Sequence, residues 1–254
     1  MKFQIGPQHI SITVPDRASL LEIVESRLEE GMGFALATLN VDHLEKLRSD
    51  ETFRAAYAAH DLIVADGNPV VWLARLGGQS LSLVPGSELV VPLCQTAARL
   101  DKPIAIIAGT RASGQMAAER LAGQIPGLDI AMIDAPGFPF DPSGAEADIL
   151  LDRLDASKAC LCLLAVGAPR QEILAARGRV RCPRVGFASV GAGIDFIAGR
   201  QKRAPKFVRS MRMEWLWRAT LSPLRLGPRY LRGAMILPGH AIRARVQRRE
   251  RTGG

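Results

Sequence analysis

Asp61-Leu62-Ile63-Val64-Ala65-Asp66-Gly67-Asn68-Pro69-Val70-Val71-Trp72-Leu73-Ala74-Arg75-Leu76 is the stretch whose reading decides the fold. Residues 61–65 form a short apolar run and read as a buried strand, and residues 70–76 read as a helix. Asp66 therefore stands where a buried strand hands over to a helix. In open α/β sheets the crevice at the carboxyl ends of the strands is where ligands bind. Gly67 permits a tight turn or a close approach of a ligand to the backbone. A carboxylate at that position has two readings. It is a turn or cap residue, which local sequence favours because Asp is a preferred N-cap, or it is a catalytic base.

The same alternation runs outward along the chain. Residues 34–40, 103–109, 128–133, 159–166 and 184–190 are further predicted strands. Helical patterns fill residues 15–30, 41–57, 86–99, 110–124 and 143–154, and another follows Gly167. Residues 9–14 alternate in polarity and are predicted as an edge strand. Strand then helix, repeated every 20 to 30 residues or so, predicts an α/β fold. The expected architecture is a Rossmann-like, mostly parallel sheet covered by helices.

Polar and glycine signals fall after the strands: Thr38 and Asn40, Asp66 and Gly67, Gly109, Gly167 and Gln171, Gly191 and Gly193. In a parallel sheet those ends share one rim, so the signals converge on one pocket. Thr38 and Asn40 are two apart and point to one face of their strand. The competing reading is that Asn40 or Asp42 caps the helix starting near Val41. Gly109-Thr110-Arg111-Ala112-Ser113-Gly114 lacks the full glycine pattern of a dinucleotide loop, so no such cofactor is expected.

Of the 254 residues, 48% are hydrophobic and 23% charged, a globular composition. The net charge of +8 is unevenly placed. Residues 200–251 hold 15 Lys and Arg against 2 acids, whereas the 199 residues before them hold 18 basic and 23 acidic residues. A mildly acidic body, residues 1–199, carries a strongly basic appendage, residues 200–254. Such an appendage meets nucleic acid or a membrane surface. Cys94, Cys160, Cys162 and Cys182 form no CxxC pair or zinc spacing, and Cys160 and Cys162 alternate within a predicted strand, as expected of a reduced intracellular protein. No apolar run approaches the ~20 residues of a transmembrane helix, and the N-terminus lacks the apolar core of a signal peptide.

Taken together, Thr38-x-Asn40, Asp66-Gly67, Gly86-x-Glu88-Leu89, Gly167-x-Pro169-Arg170-Gln171-Glu172, Val190-Gly191-x-Gly193-x-Asp195-Phe196-x-Ala198-Gly199, Arg203-Ala204-Pro205 and Glu214-Trp215-x-x-Arg218 resemble the WecG/TagA/CpsF glycosyltransferases. The resemblance runs from about Phe34 to Tyr230, in order. It implies a bacterial enzyme that moves a sugar from a UDP-sugar to a polyprenyl-diphosphate-linked saccharide during surface polysaccharide synthesis, inverting the anomeric centre without a bound metal. It also implies that Asp66 is the general base and that Thr38, Asn40 and Gln171, with Gly67, Gly167 and Gly191, line the pocket. The sequence contains no Asp-x-Asp triplet.

A departing diphosphate then needs positive charge or N–H donors, which helix N-termini and Arg203 would supply. The family usually carries an arginine shortly before Gly86, where this chain has Leu83. Aromatic and aliphatic residues mixed with arginine over residues 204–232 suit an interfacial helix on anionic lipid, placing the protein at the inner face of the plasma membrane, and residues 243–251 read as a mobile basic tail. A homo-oligomer is compatible with all of this. The alternatives are a non-catalytic sugar-nucleotide-binding homologue, motivated by Leu83, and a basic-tailed nucleic-acid-binding protein, against which no nucleic-acid motif appears.

Overall fold

The computed structural model describes residues 1–5, 8–201 and 223–252. The chain opens with β1 (Lys2–Ile5) and β2 (Gln8–Ser11), continues through α1 (Arg17–Glu29), β3 (Phe34–Leu39), α2 (Val41–Ser49), α3 (Glu51–Ala58) and β4 (Leu62–Ala65), and then α4 (Asn68–Leu76) and α5 (Gly86–Arg99). There follow β5 (Ile104–Ala108), α6 (Arg111–Gln124), β6 (Ile130–Asp134), α7 (Ala145–Ala156), β7 (Leu161–Ala165), α8 (Arg170–Arg181), β8 (Gly186–Ser189) and α9 (Gly193–Ile197). The last element described is α10 (Pro223–Thr252).

Six strands pair in the order β4-β3-β8-β7-β5-β6, all parallel, as the buried apolar runs predict. Both faces are covered. Along β5, Ile104, Ile106 and Ala108 pack against α1, α5 and α6, while Ala105 and Ile107 face α7 and α8. Helices α2, α3 and α4 cover the remaining part of that second face over β3 and β4. Cys94, Cys162 and Cys182 are buried in these cores, and burial alone pushes the Cys94 thiol up to about 12. These thiols are packing groups.

Three expectations are corrected. Residues 9–14 do not join the main sheet: β2 pairs antiparallel with β1 in a separate hairpin. Thr13 and Val14 instead lie along the open side of β4, donating their N–H groups to Ile63 O at 3.0 and 3.2 Å, while Thr13 Oγ1 accepts from Ile63 N–H at 2.8 Å. The edge is thereby covered.

Residues 41–57 are two helices. Asp50 ends α2 in extended backbone and caps α3, its side chain accepting from Phe53 N–H at 2.8 Å. An Asp side chain that bonds to nearby backbone competes with helix continuation.

Residues 243–251 are not a mobile tail. They continue α10, which packs on α2, α4 and the hairpin. Ile236 and Ala244 enter the core, Arg243 donates to Gln4 O at 3.0 Å and Gln247 to Lys2 O at 2.8 Å.

Candidate active site

The site is built from the carboxyl ends of β3, β4, β7 and β8. Leu39 and Ala65 are register partners, and Asp66 N–H donates to Leu39 O at 2.8 Å. Asn40 and Asp66 therefore leave neighbouring strands at the same level. Thr38, one residue inside, is buried.

The two cap readings resolve in opposite ways. Asn40 does cap α2, its Oδ1 accepting from His43 N–H at 3.0 Å; this cap uses the amide oxygen and not Nδ2. Asp42 does not cap and pairs with Lys46 at 2.9 Å. Asp66 is not the N-cap residue of α4: Gly67 holds that position, with φ of +110° and no side chain of its own to cap with. A positive φ here suits glycine alone among the common residues, so the chain turns after Asp66 and leaves its carboxylate at the rim.

The N-terminus of α5 closes over these residues. A Cβ on Gly86 would stand 2.9 Å from Thr38 Oγ1, 3.2 Å from its Cγ2 and 3.4 Å from Val190 O. A Cβ on Gly193 would lie 3.2 Å from Ser87 Cα. The Gly86 motif, Thr38 and the turn through Gly191 thus meet. Gly167 and Gly191, after β7 and β8, have φ of +79° and +56°. Helices α4, α5, α8 and α9 all begin at this rim without a side-chain cap. Helix N-termini present N–H groups and a partial positive charge to an anion.

Behind the rim lies a buried polar layer. Gln171 and Glu172 open α8, and Gln171 Nε2 donates to Glu172 Oε1 at 2.8 Å. Both are buried, and among the described residues Gln171 Oε1 and Glu172 Oε2 have no hydrogen-bond partner. Burial pushes the Glu172 carboxyl up to about 7, against the Gln171 hydrogen bond and the nearby Lys46 charge. Lys46 Nζ also donates to Ala168 O at 3.2 Å, tying α2 to the turn after β7. Tyr57 OH lies 3.1 Å from His43 Nδ1. Burial first, then the negative fields of Glu172 and Asp66, hold the Tyr57 phenol well above its ordinary range.

The structure thus brings Asn40, Asp66, Gly67, Gly167 and Gly191 to one rim, with Thr38 buried just inside it and Gln171 in the buried layer behind. Arg203 lies outside the described residues, as do Trp215 and the rest of residues 202–222. Asp195 serves the scaffold: it accepts from Ser113 Oγ and from Gln201 Nε2, at 3.2 Å in the second case, tying α9 to α6. Sequence reasoning missed Lys46, His43 and Tyr57, which sit mid-helix with nothing local to mark them. Glu172 carried a signal, being the acid that ends the Gly167-x-Pro169-Arg170-Gln171-Glu172 motif beside Gln171. Among the described residues, no group of three or more His, Cys, Asp and Glu side chains is placed to hold a metal ion.

Comparison with known proteins gives the family. The chain is 26% identical over 199 residues, 78% of its own length and 75% of the relative's, to an N-acetylglucosaminyldiphosphoundecaprenol N-acetyl-beta-D-mannosaminyltransferase of Bacillus spizizenii. The model of the glycosyl transferase WecG/TagA/CpsF family matches residues 7–251, nearly the whole chain. The protein with this rim and this basic C-terminal helix belongs to the WecG/TagA/CpsF family of glycosyl transferases.

Proposed function

We propose that the chain transfers a sugar from a UDP-sugar to a saccharide carried on a polyprenyl diphosphate, with inversion and with Asp66 as general base. The observation that carries this reading is the placement of Asp66. It is held by backbone to the end of β3, beside Thr38 and Asn40, one residue before the Gly67 N-cap of α4. An inverting displacement needs a base to take the acceptor hydroxyl's proton as that oxygen attacks the anomeric carbon.

Charge develops on the departing diphosphate. The uncapped N-termini of α5 and α8 face it with backbone N–H groups already fixed in direction. Asn40 Nδ2 and the Gln171 amide orient sugar or nucleotide, and Arg203 adds a cation. Residues 1–199 supply this machinery, and the basic appendage, residues 200–254, brings it to an anionic membrane face where a lipid-linked acceptor resides. The B. spizizenii relative suggests the first pair to try: UDP-N-acetylmannosamine with N-acetylglucosamine on a polyprenyl diphosphate.

The test is a donor panel with that acceptor, in wild type and Asp66→Asn. Wild type releases UDP only when acceptor is present. The variant still binds UDP-sugar but turns over about a hundredfold more slowly or worse, the scale of a lost general base. Near-normal turnover in Asp66→Asn would sink the assignment of the base. A second reading rests on Leu83, which stands where the family usually has arginine. UDP-sugar binding with no transfer to any acceptor would favour a protein that keeps the pocket and has lost the reaction.

A further inference from the structure

A groove of about 610 Å³ runs between α4, the segment before α5 and α10. It begins at Asn68 and Pro69, the residues directly after Asp66-Gly67, so one end opens beside the candidate base. Asn68, Trp72 and Arg75 are spaced by four and three residues and share one face of α4. Trp72 is 55% exposed and Leu83, across the groove, is 39% exposed. Leu237 of α10 closes the far wall. Val71, Ser80, Leu81 and Ser82 complete the lining, and Arg75 is the one charged residue in it among the described residues.

The physical character is mixed in a specific way. A large aromatic face and three leucines, Leu81, Leu83 and Leu237, line a channel that water reaches, an arrangement that leaves apolar surface hydrated until something covers it. One guanidinium stands in the same wall with no carboxylate among the lining residues, so the groove favours an anion. A ligand that is apolar along most of its length and anionic at one end satisfies both. The volume is that of a site for one molecule of moderate size.

We propose that this groove receives the lipid part of the acceptor: the first isoprene units lie against Trp72, Leu83 and Leu237, and Arg75 contacts the diphosphate. The inference rests on the reading of the acceptor as a polyprenyl diphosphate. It also gives Leu83 a use. An apolar side chain at that position lengthens the greasy wall, and positive charge comes from α4 instead.

The test uses the full chain and a short polyprenyl diphosphate bearing a photoreactive group in its first isoprene units. Irradiation followed by peptide mapping is expected to place the label on residues 68–83 and on the α10 peptide containing Leu237. An excess of unmodified polyprenyl diphosphate should remove the label, and the corresponding alcohol should compete at least tenfold less well. Trp72→Ala and Arg75→Gln alter exposed side chains and leave the α4 core contacts in place. Each is expected to cut labelling at least fivefold and to raise the acceptor KM by a similar factor with the donor KM unchanged. Label confined to other segments, or unchanged in both variants, would overturn the proposal. Labelling in the groove without sugar transfer from any donor would keep the groove and sink the reaction. Transfer without labelling there would do the reverse.

Discussion

At the scale of single residues, the site depends on which side chains are used up by local structure. Asn40 and Asp66 look alike in sequence, each a short polar residue between a strand and a helix. Asn40 spends its oxygen on the cap of α2, whereas Gly67 takes the cap position of α4 and leaves Asp66 to the rim. The presence of polar residues at strand ends was legible; the division of labour was not, because it turns on the backbone angles of the next residue.

Gly86 shows the same limit. Its place in a motif was plain, but the reason for it is Thr38, whose two branches both crowd the space a Cβ would occupy. Rotating the Thr38 side chain to another staggered position still leaves one branch in that space, so the crowding is eased only in part. Gly86→Ala is therefore expected to push the start of α5 off the rim. It should lower kcat at least tenfold and destabilise the fold by about 1–3 kcal/mol, the usual scale of overpacking. Steady-state rates and urea melts of the variant check both numbers, and a variant with wild-type kcat would show that the α5 N-terminus need not sit where it does.

At the scale of elements, the strands of the parallel sheet were readable because burial on both faces writes them as continuous apolar runs. The hairpin was not, since alternation in residues 9–14 says that one face is buried and does not name the partner. The break at Asp50 was missed because the apolar period carries through it, and only the cap marks it.

Packing of α3 against α8 then creates a pH balance that no single element shows. Glu172 has its carboxyl raised from 4.5 to about 7, chiefly by burial. Between those values the folded chain holds a proton that the unfolded chain has released, so this group's contribution to stability falls as pH rises. His60, buried on α3's far end, is lowered from 6.5 to about 4, again chiefly by burial. It must take up a charge on acidification, so its contribution falls as pH drops across that window.

The two contributions oppose each other between pH 4.5 and 6.5. Glu172→Gln is expected to unmask the histidine, giving stability that rises with pH over this range by on the order of 2 kcal/mol relative to wild type. His60→Gln should show the opposite slope. Urea midpoints at three pH values measure this, and a Glu172→Gln curve parallel to wild type would mean that the carboxyl is not buried as described.

At the scale of the whole molecule, the separation of charge was the most legible feature, and the form of the basic part the least. The arginine-rich residues 243–251 read as a mobile tail, yet α10 runs from Pro223 to Thr252 and is pinned by the hairpin. Its two faces explain why. At 100° per residue, Ile236, His240 and Ala244 fall together on the inner side, where they are buried. Leu231, Met235, Ile242 and Val246 fall within about 60° of one another on the outer side, where all four are exposed. Arg232 and Arg245 flank this stripe and are exposed as well. No helix among the described residues is long and apolar enough to cross a membrane.

An apolar stripe bordered by arginine suits a helix lying in the headgroup region of an anionic bilayer. Deleting the appendage would be a poor test, because it strips the cover from the core residues that Ile236 and Ala244 contact. Met235→Ser combined with Ile242→Ser changes only the outer face. Wild type is expected to sediment with vesicles containing anionic lipid, to do so much less with neutral vesicles, and to lose most binding between 0.1 and 0.5 M salt, as the roughly twofold shorter screening length requires. The double variant should bind roughly tenfold or more weakly, the loss of two partly inserted side chains. If it sediments as wild type does, the outer face of α10 is not the contact, and residues 202–222 must carry the attachment alone. If duplex DNA binds more tightly than the vesicles at matched salt, the basic surface serves nucleic acid instead.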